Sequence, residues 1–272
     1  MSSVMDVKYD EIAAERALVD YIQKFWVLDN SQSLVLTQGK YALPNGCFTV
    51  AFISGNGVII ENKDRTTTVN AGMYFVGQIS KKVKITVQPY TKAIMVQLKP
   101  WTPALITNFP LHEATNQVLD FSLVNKDLHQ AFTGADLSDE RFVIRMFYRE
   151  LANYLRPTND SNFVKAAFSL LQTNTLTNPT KVSGIAVSSG YSQRRVEQKF
   201  SQLIGLSPKE IQKILQLRVL INELSMPNNS SLSYLTHKYG YYDQSHFIKS
   251  YNKIMYDLPA NFNSSNYLLP FR

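Results

Sequence analysis

Apolar positions recur at helical spacing in the last hundred or so residues of this chain and at strand spacing through much of the first hundred. Between 161 and 172, Phe163, Val164, Ala167, Phe168 and Leu171 form one apolar stripe. Ile185 and Ala186 mark a shorter helix that stops at Gly190, where the backbone has to turn. Beyond it Val196, Phe200 and Leu203 fall at i, i+4 and i+7. Ser207-Pro208-Lys209-Glu210 is a capping box with proline at the first helical position. The helix it starts, carrying Ile211, Ile214, Leu215, Leu217, Ile221 and Leu224, stops before Pro227, and a 227–231 loop follows. From about residue 32 the texture is different. Segments 33–43, 47–54, 58–62, 73–76, 83–88 and 93–98 are rich in Val, Ile, Phe, Tyr and Thr, with turns at Asn45-Gly46, Gly55-Asn56-Gly57, Asn70-Ala71-Gly72 and Pro89. Leu18, Ile22 and Phe25 predict a helix over 13–26, and further helices are expected at 103–108, 125–132 and 139–155, the last with mixed faces through Phe142, Met146, Arg149 and Tyr154. The polar, proline-bearing stretch 156–160 reads as a linker. The pattern predicts an α+β chain. An N-terminal β-barrel or jelly-roll domain with flanking helices (1–155) leads through 156–160 to an all-α domain (161–272), in which two helix-turn-helix units are joined by a helix.

The second unit is visible as a repeat. Gly240-Tyr241 follows Gly190-Tyr191 at an offset of 50, and after one extra residue, Tyr242, the offset is 51. Asp243 then matches Ser192 as a helix cap, Gln244 matches Gln193, Phe247 matches Val196, Tyr251 matches Phe200, Ile254 matches Leu203 and Pro259 matches Pro208. Leu235 and Thr236 stand opposite Ile185 and Ala186. Two copies of one supersecondary unit can read two successive stretches of groove on one face of DNA. In the first copy the buried stripe leaves Gln193, Arg194, Arg195, Glu197 and Gln198 outward near the helix start, with Lys199 as a backbone-positioning candidate. In the second, Gln244, Ser245, His246 and Lys249 are the contact candidates. Arginine pairs with guanine and glutamine with adenine through two hydrogen bonds each, so both suit base reading.

At these residues the sequence resembles the DNA-binding domain of the AraC/XylS family of bacterial transcription regulators. The segments GYSQRRVEQKFSQLIGLSPKEI and LTHKYGYYDQSHFIKSYNKIMYDLPANF look like that family's two units, over roughly 161–262. Tyr256 stands where the family usually has glycine, Tyr251 and Phe262 replace Phe and Tyr, and Thr236 replaces Ala. Segments LPNG, YFVGQI and QLKPWTPALI resemble the cupin-like N-terminal domain of some such regulators, over roughly 21–123. The resemblance implies a transcription factor that docks two recognition helices into adjacent major-groove segments. It implies RNA polymerase as a partner, a small-molecule effector in the N-terminal domain, and a homodimer.

Composition adds direction to this picture. Residues 160–272 hold 12 Lys and Arg against 6 Asp and Glu, whereas 1–159 hold 16 against 15. Almost all of the net charge of +7 therefore lies in the repeated portion, as phosphate binding requires. The single cysteine, Cys47, excludes an internal disulfide and fits a reducing cytoplasm. The N-terminus lacks the basic start and apolar run of a signal peptide, and no window approaches the ~18 apolar residues of a membrane span.

Catalytic chemistry finds little support. The four histidines, His112, His129, His237 and His246, all lie outside the strand segments, so the metal cluster of a cupin enzyme is not expected. No phosphate loop, nucleophile elbow or paired catalytic acid is recognisable, and no metal or cofactor is expected. Tyr41, Phe48, Phe52, Tyr74 and Phe75 are candidates to line a ligand cavity inside the β domain, or else are ordinary core. The alternative reading is a ligand- or carbohydrate-binding β protein whose helices mediate protein contacts. A DNA-repair methyltransferase would need a reactive cysteine in a catalytic domain, which Cys47 in a strand does not offer.

Overall fold

The computed structural model describes residues 7–173, 180–225, 232–239 and 241–268. The expected 227–231 loop and Gly240 lie outside these residues. The N-terminal half holds ten strands among the described residues: β1 (Lys8–Ala13), β2 (Ile22–Asn30), β3 (Lys40–Ala42), β4 (Phe48–Ser54), β5 (Val58–Glu61), β6 (Thr66–Val69), β7 (Gly72–Val76), β8 (Val83–Val87), β9 (Thr91–Leu98) and β10 (Val118–Asp120). They form two antiparallel sheets, one in the order β1-β2-β9-β4-β7-β10 and one in the order β3-β8-β5-β6. This is an open double sheet, the jelly-roll side of the expected alternatives and not a closed barrel.

The six-stranded sheet is buried on both faces, which explains where the sequence misleads. In β2, Phe25 and Val27 enter one core while Trp26 and Leu28 enter another. A strand covered on both sides carries a continuous apolar run instead of an alternation. Within 13–26, Leu18, Ile22 and Phe25 then fit helical spacing by coincidence, and the expected helix is β1's last residue, a turn and the start of β2. The expected strand over 33–43 shrinks to Lys40–Ala42, and Leu34, Val35 and Leu36 are exposed. Strands β6 and β10 escaped notice because their residues, TTTV and VLD, give short, weak patterns.

Strand alternation sorts large from small. Phe48, Val50 and Phe52 of β4 point to one face, where they meet Phe75, Phe121, Phe132 and Phe147. Phe48 stacks on Phe75 at 5.6 Å and Phe52 meets Phe132 at 4.8 Å between ring centroids. Helices α1 (Pro103–Ile106), α2 (Lys126–Ala131) and α3 (Glu140–Ala152) follow the strands. The side chain of Asn125 caps α2 and that of Asp139 caps α3. Val143, Phe147, Tyr148 and Leu151 put the apolar face of α3 into the chain's own core. On the other face of β4, Ala51 and Ile53 look toward the four-stranded sheet, together with Trp26, Met95, Val58 and Val69.

The C-terminal half is helical: α4 (Asn159–Thr173), α5 (Val182–Ser189), α6 (Gln193–Ile204), α7 (Pro208–Leu224), α8 (Leu232–Lys238) and α9 (Gln244–Met255). The capping box at Ser207 is formed in full, with Ser207 accepting from the Glu210 N–H and Glu210 accepting from the Ser207 N–H. Helix α4 begins inside the expected linker. Asp160 there pairs with Lys199, and Thr158 and Ser161 accept each other's backbone N–H.

The two halves are docked. The Leu111 N–H donates to the Gln202 carbonyl at 2.8 Å, and the Thr115 hydroxyl to the Gly205 carbonyl at 2.8 Å. At the far end the Lys82 N–H donates to the Ile254 carbonyl at 3.0 Å and the Leu268 N–H to the Tyr41 carbonyl at 2.8 Å. Gly205 ends α6 in the left-handed region at φ 84°. A Cβ there would stand 2.5 Å from the Leu111 carbonyl oxygen. Gly205→Ala is therefore expected to cost more than about 1 kcal/mol in a denaturant melt, through backbone strain and the collision together.

Candidate nucleic-acid interface

The repeat read from the sequence is reproduced in hydrogen bonds. At the end of α5 the Tyr191 N–H donates to the Ala186 carbonyl at 3.2 Å; at the end of α8 the Tyr241 N–H donates to the Thr236 carbonyl at 3.0 Å. Ser192 caps α6 by accepting from the Arg195 N–H, and Asp243 caps α9 by accepting from the His246 N–H at 2.7 Å. Inward positions correspond as well. Val196, Phe200, Leu203 and Ile204 are buried in one core, and Phe247, Tyr251, Ile254 and Met255 in the other. Helix α6 ends at Gly205 and α9 at Tyr256, both left-handed. Glycine meets that geometry freely, whereas Tyr256 holds φ 50° against its side chain.

Opposite these buried stripes, Gln193, Arg194, Arg195, Glu197 and Gln198 are exposed on α6, and Gln244, Ser245, His246 and Lys249 are exposed on α9. Both groups begin at the N-terminal end of their helix, where side chains of a recognition helix meet base edges. His246 also lies against the ring of Tyr241, with centroids 5.5 Å apart. Ile248, three residues before Tyr251, packs against the second core.

Lys199 does not share the outward face. It is 8% exposed, pairs with Asp160, and sits over the rings of Tyr191 and Phe163 at 5.3 and 5.5 Å. The reason is its register: 196, 199, 200 and 203 lie along one stripe, so a lysine at 199 has to lay its stem along the core. It holds α4 against α6 and is not placed for a phosphate.

Acidic side chains of this half are mostly used internally. Asp160 pairs with Lys199, Glu210 completes the cap of α7, and Asp243 caps α9. Glu223 takes Lys238 at 2.9 Å and the Tyr239 hydroxyl, and Asp257 lies 3.9 Å from Lys82. Arg194, Arg195, Lys209, Lys249 and Lys253 remain exposed. Lys213, which the sequence pattern did not single out, lies near two other cations. Burial, then Lys253 and Lys209, hold it below the ordinary lysine value. Tyr242, the extra residue between the two repeat offsets, is 90% exposed immediately before the Asp243 cap. Its exposure beside the reading end makes it a further contact candidate, and the one-residue change in offset is the signal that marks it.

The candidate ligand residues divide between two faces. Phe48, Phe52 and Phe75 are fully buried in the helix-facing core, because alternation along β4 and β7 turns them away from the second sheet. Tyr74 packs on the inter-sheet face, and Tyr41 stacks near Tyr267 at 5.6 Å with Lys82 over its ring. A cavity of about 390 Å³ lies between the sheets, with Ala51, Ile53, Val58, Val69 and Met95 in its walls. None of the five candidates is in those walls. Cys47 is half-buried beside it. Among the described residues, no three His, Cys, Asp or Glu side chains come together as a metal site, and no helix is long and apolar enough to cross a membrane.

Over residues 10–120 the sequence matches a family described as a domain of unknown function, DUF6597. The match runs from within β1 to the end of β10. Comparison with curated proteins gives no match. Among solved structures the chain is similar to ToxT from Vibrio cholerae, with TM-score 0.46, 8% identity, and 94% of this chain and 97% of that one covered. It is similar to unsaturated fatty acid-bound ToxT from V. cholerae strain SCE256, with TM-score 0.44, 9% identity and 95% of each chain covered. It is also similar to a probable AraC family transcriptional regulator from Rhodopseudomonas palustris, with TM-score 0.33, 18% identity, and 39% of this chain and 98% of that one covered.

Proposed function

We propose that this chain is a sequence-specific DNA-binding transcription regulator of the AraC/XylS type. One observation carries the reading. Two copies of a helix-turn-helix unit, matching in caps, turn bonds and buried stripes, present polar side chains at the N-terminal ends of α6 and α9. In this reading residues 161–272 bind double-stranded DNA. Arg194 and Arg195 suit guanine, while Gln193, Gln198 and Gln244 suit adenine. Helix α7, packed into both helical cores, fixes the separation of the two units. Residues 1–155 form the regulatory domain that takes a small effector, and the chain works in the cytoplasm without catalysis. RNA polymerase and a second copy of the chain are its protein partners. Sedimentation at roughly tens of micromolar, where weak dimers still form, tests the second copy.

Electrostatics gives the first test. The full chain should bind duplex DNA with log K falling by about 0.9 per phosphate neutralised for each tenfold rise in salt. Titration of a fluorescent duplex at several salt concentrations measures this slope. Binding that is flat between low and physiological salt would contradict the proposal.

A further inference from the structure

Residues on the central strands are sorted by size in a way that simple packing does not need. Toward the helices β4 presents Phe48, Val50 and Phe52; toward the second sheet it presents Thr49, Ala51 and Ile53. Protein interiors are close-packed and rarely keep voids much larger than a water molecule. Here the small face borders the cavity of about 390 Å³. Trp26 is part of the same wall, and its indole N–H is buried without a hydrogen-bond partner among the described residues. A buried donor of this kind normally finds an acceptor. Asn62, Asp64, Arg65 and Asn116 are the exposed lining residues and mark the opening, which Lys81 and Tyr256 share.

Tyr256 is the left-handed residue that ends α9, so the second recognition helix terminates in the rim of this cavity. Its ring lies under the ammonium groups of Lys81 and Lys63, at 5.0 and 5.5 Å. Lys81 donates to the Lys253 carbonyl at 2.5 Å, and the Lys82 N–H donates to the Ile254 carbonyl at 3.0 Å. The 79–83 segment thus lines the cavity and carries the last turn of α9 at once. A side chain kept at φ 50°, where the first unit has Gly205, is a strained position of the kind that accompanies switching sites.

Resting on the regulator reading for its DNA half, we propose that the inter-sheet cavity binds a compact, largely apolar molecule whose hydrogen-bond acceptor meets the Trp26 indole, and that α9 senses the occupant through Tyr256. The acceptor satisfies the orphaned N–H, and the apolar body covers Ala51, Val58 and Met95. At the rim the occupant changes the setting of Tyr256 and Lys81, and with it the angle at which α9 meets DNA.

The test uses camphor and 2-adamantanone, two compact apolar ketones. Trp101→Phe leaves Trp26 as the sole indole of the two in the chain. In this variant the Trp26 indole NMR peak should move downfield and saturate with at least one of the ketones. Trp26→Phe should weaken ketone binding, measured by calorimetry, by about tenfold, the loss of one hydrogen bond. Ala51→Phe and the milder Thr49→Leu fill the cavity and should suppress the peak shift. Saturating ketone should change the affinity of the wild type for a random-sequence duplex at least threefold. Tyr256→Gly should still bind ketone but lose this effect on DNA. The cavity half is overturned if neither ketone shifts the peak, or if the shift survives in folded Ala51→Phe or Thr49→Leu. The sensing half is overturned if ketone binds and DNA affinity does not change, or changes equally in Tyr256→Gly. A wild type with no affinity for duplex overturns the regulator reading and the sensing half with it, while the indole titration still decides the cavity.

Discussion

Phe200→Ala lowers stability by about 3–5 kcal/mol and weakens binding to every DNA sequence alike. Phe200 is fully buried on α6, and its ring meets Phe163 of α4 edge-on at 6.1 Å. Val196, Ile204, Ile185 and Ile211 share that core, so the truncation opens a cavity where α4, α5, α6 and α7 converge. The helices around it are tied by their caps and cannot collapse inward to fill the space. Denaturant titration measures the loss, and a cost under about 1 kcal/mol would contradict the assigned packing.

Arg194→Ala and Gln244→Ala behave in the opposite way. Each leaves the melting transition in place, because both side chains are exposed and neither belongs to a buried stripe. Each costs roughly 1–3 kcal/mol at the specific site and relaxes preference at one base pair. The two base pairs lie about one helical turn of DNA apart, since the residues sit at the starts of two separate recognition helices. The contrast with Phe200 separates reading from folding. Lys199 falls on the folding side of that line: its ammonium is held by Asp160 over Tyr191 and Phe163, so its removal is expected in the melt and not in base preference.

How legible this was from the sequence depended on how many faces each element buries. Helices α6, α7 and α9 each bury an apolar stripe and begin at a side-chain cap, so Ser192, Ser207 and Asp243 mark their starts directly. The repeat helped further, because every inward residue of one unit predicted its partner in the other. Lys199 was misplaced because residue type was weighed above register: three positions after Val196, even a lysine lies on the buried side. Strand β2 was hidden because Phe25 and Trp26 are buried on opposite faces, which erases the alternation that marks a strand. The ligand residues were chosen for aromatic character alone. Which face of β4 looks onto a cavity depends on what packs against each face, and only the three-dimensional pairing shows that the helices cover Phe48 and Phe52. The docking of the two halves was likewise illegible, since it runs through backbone groups such as the carbonyls of Gln202, Gly205 and Ile254, which carry no sequence signal.

One measurement bears on sequence-specific reading more directly than the others. The full chain would select its preferred site from a pool of random duplexes, and wild type, Arg194→Ala and Gln244→Ala would then be titrated against every single-base variant of that site. Two blocks of preferred bases about one helical turn apart are expected, with Arg194→Ala flattening one position in the first block and Gln244→Ala one position in the other. A pool that yields no preferred sequence, or variants that lose affinity equally across all single-base changes, would contradict the assignment of α6 and α9 as reading helices.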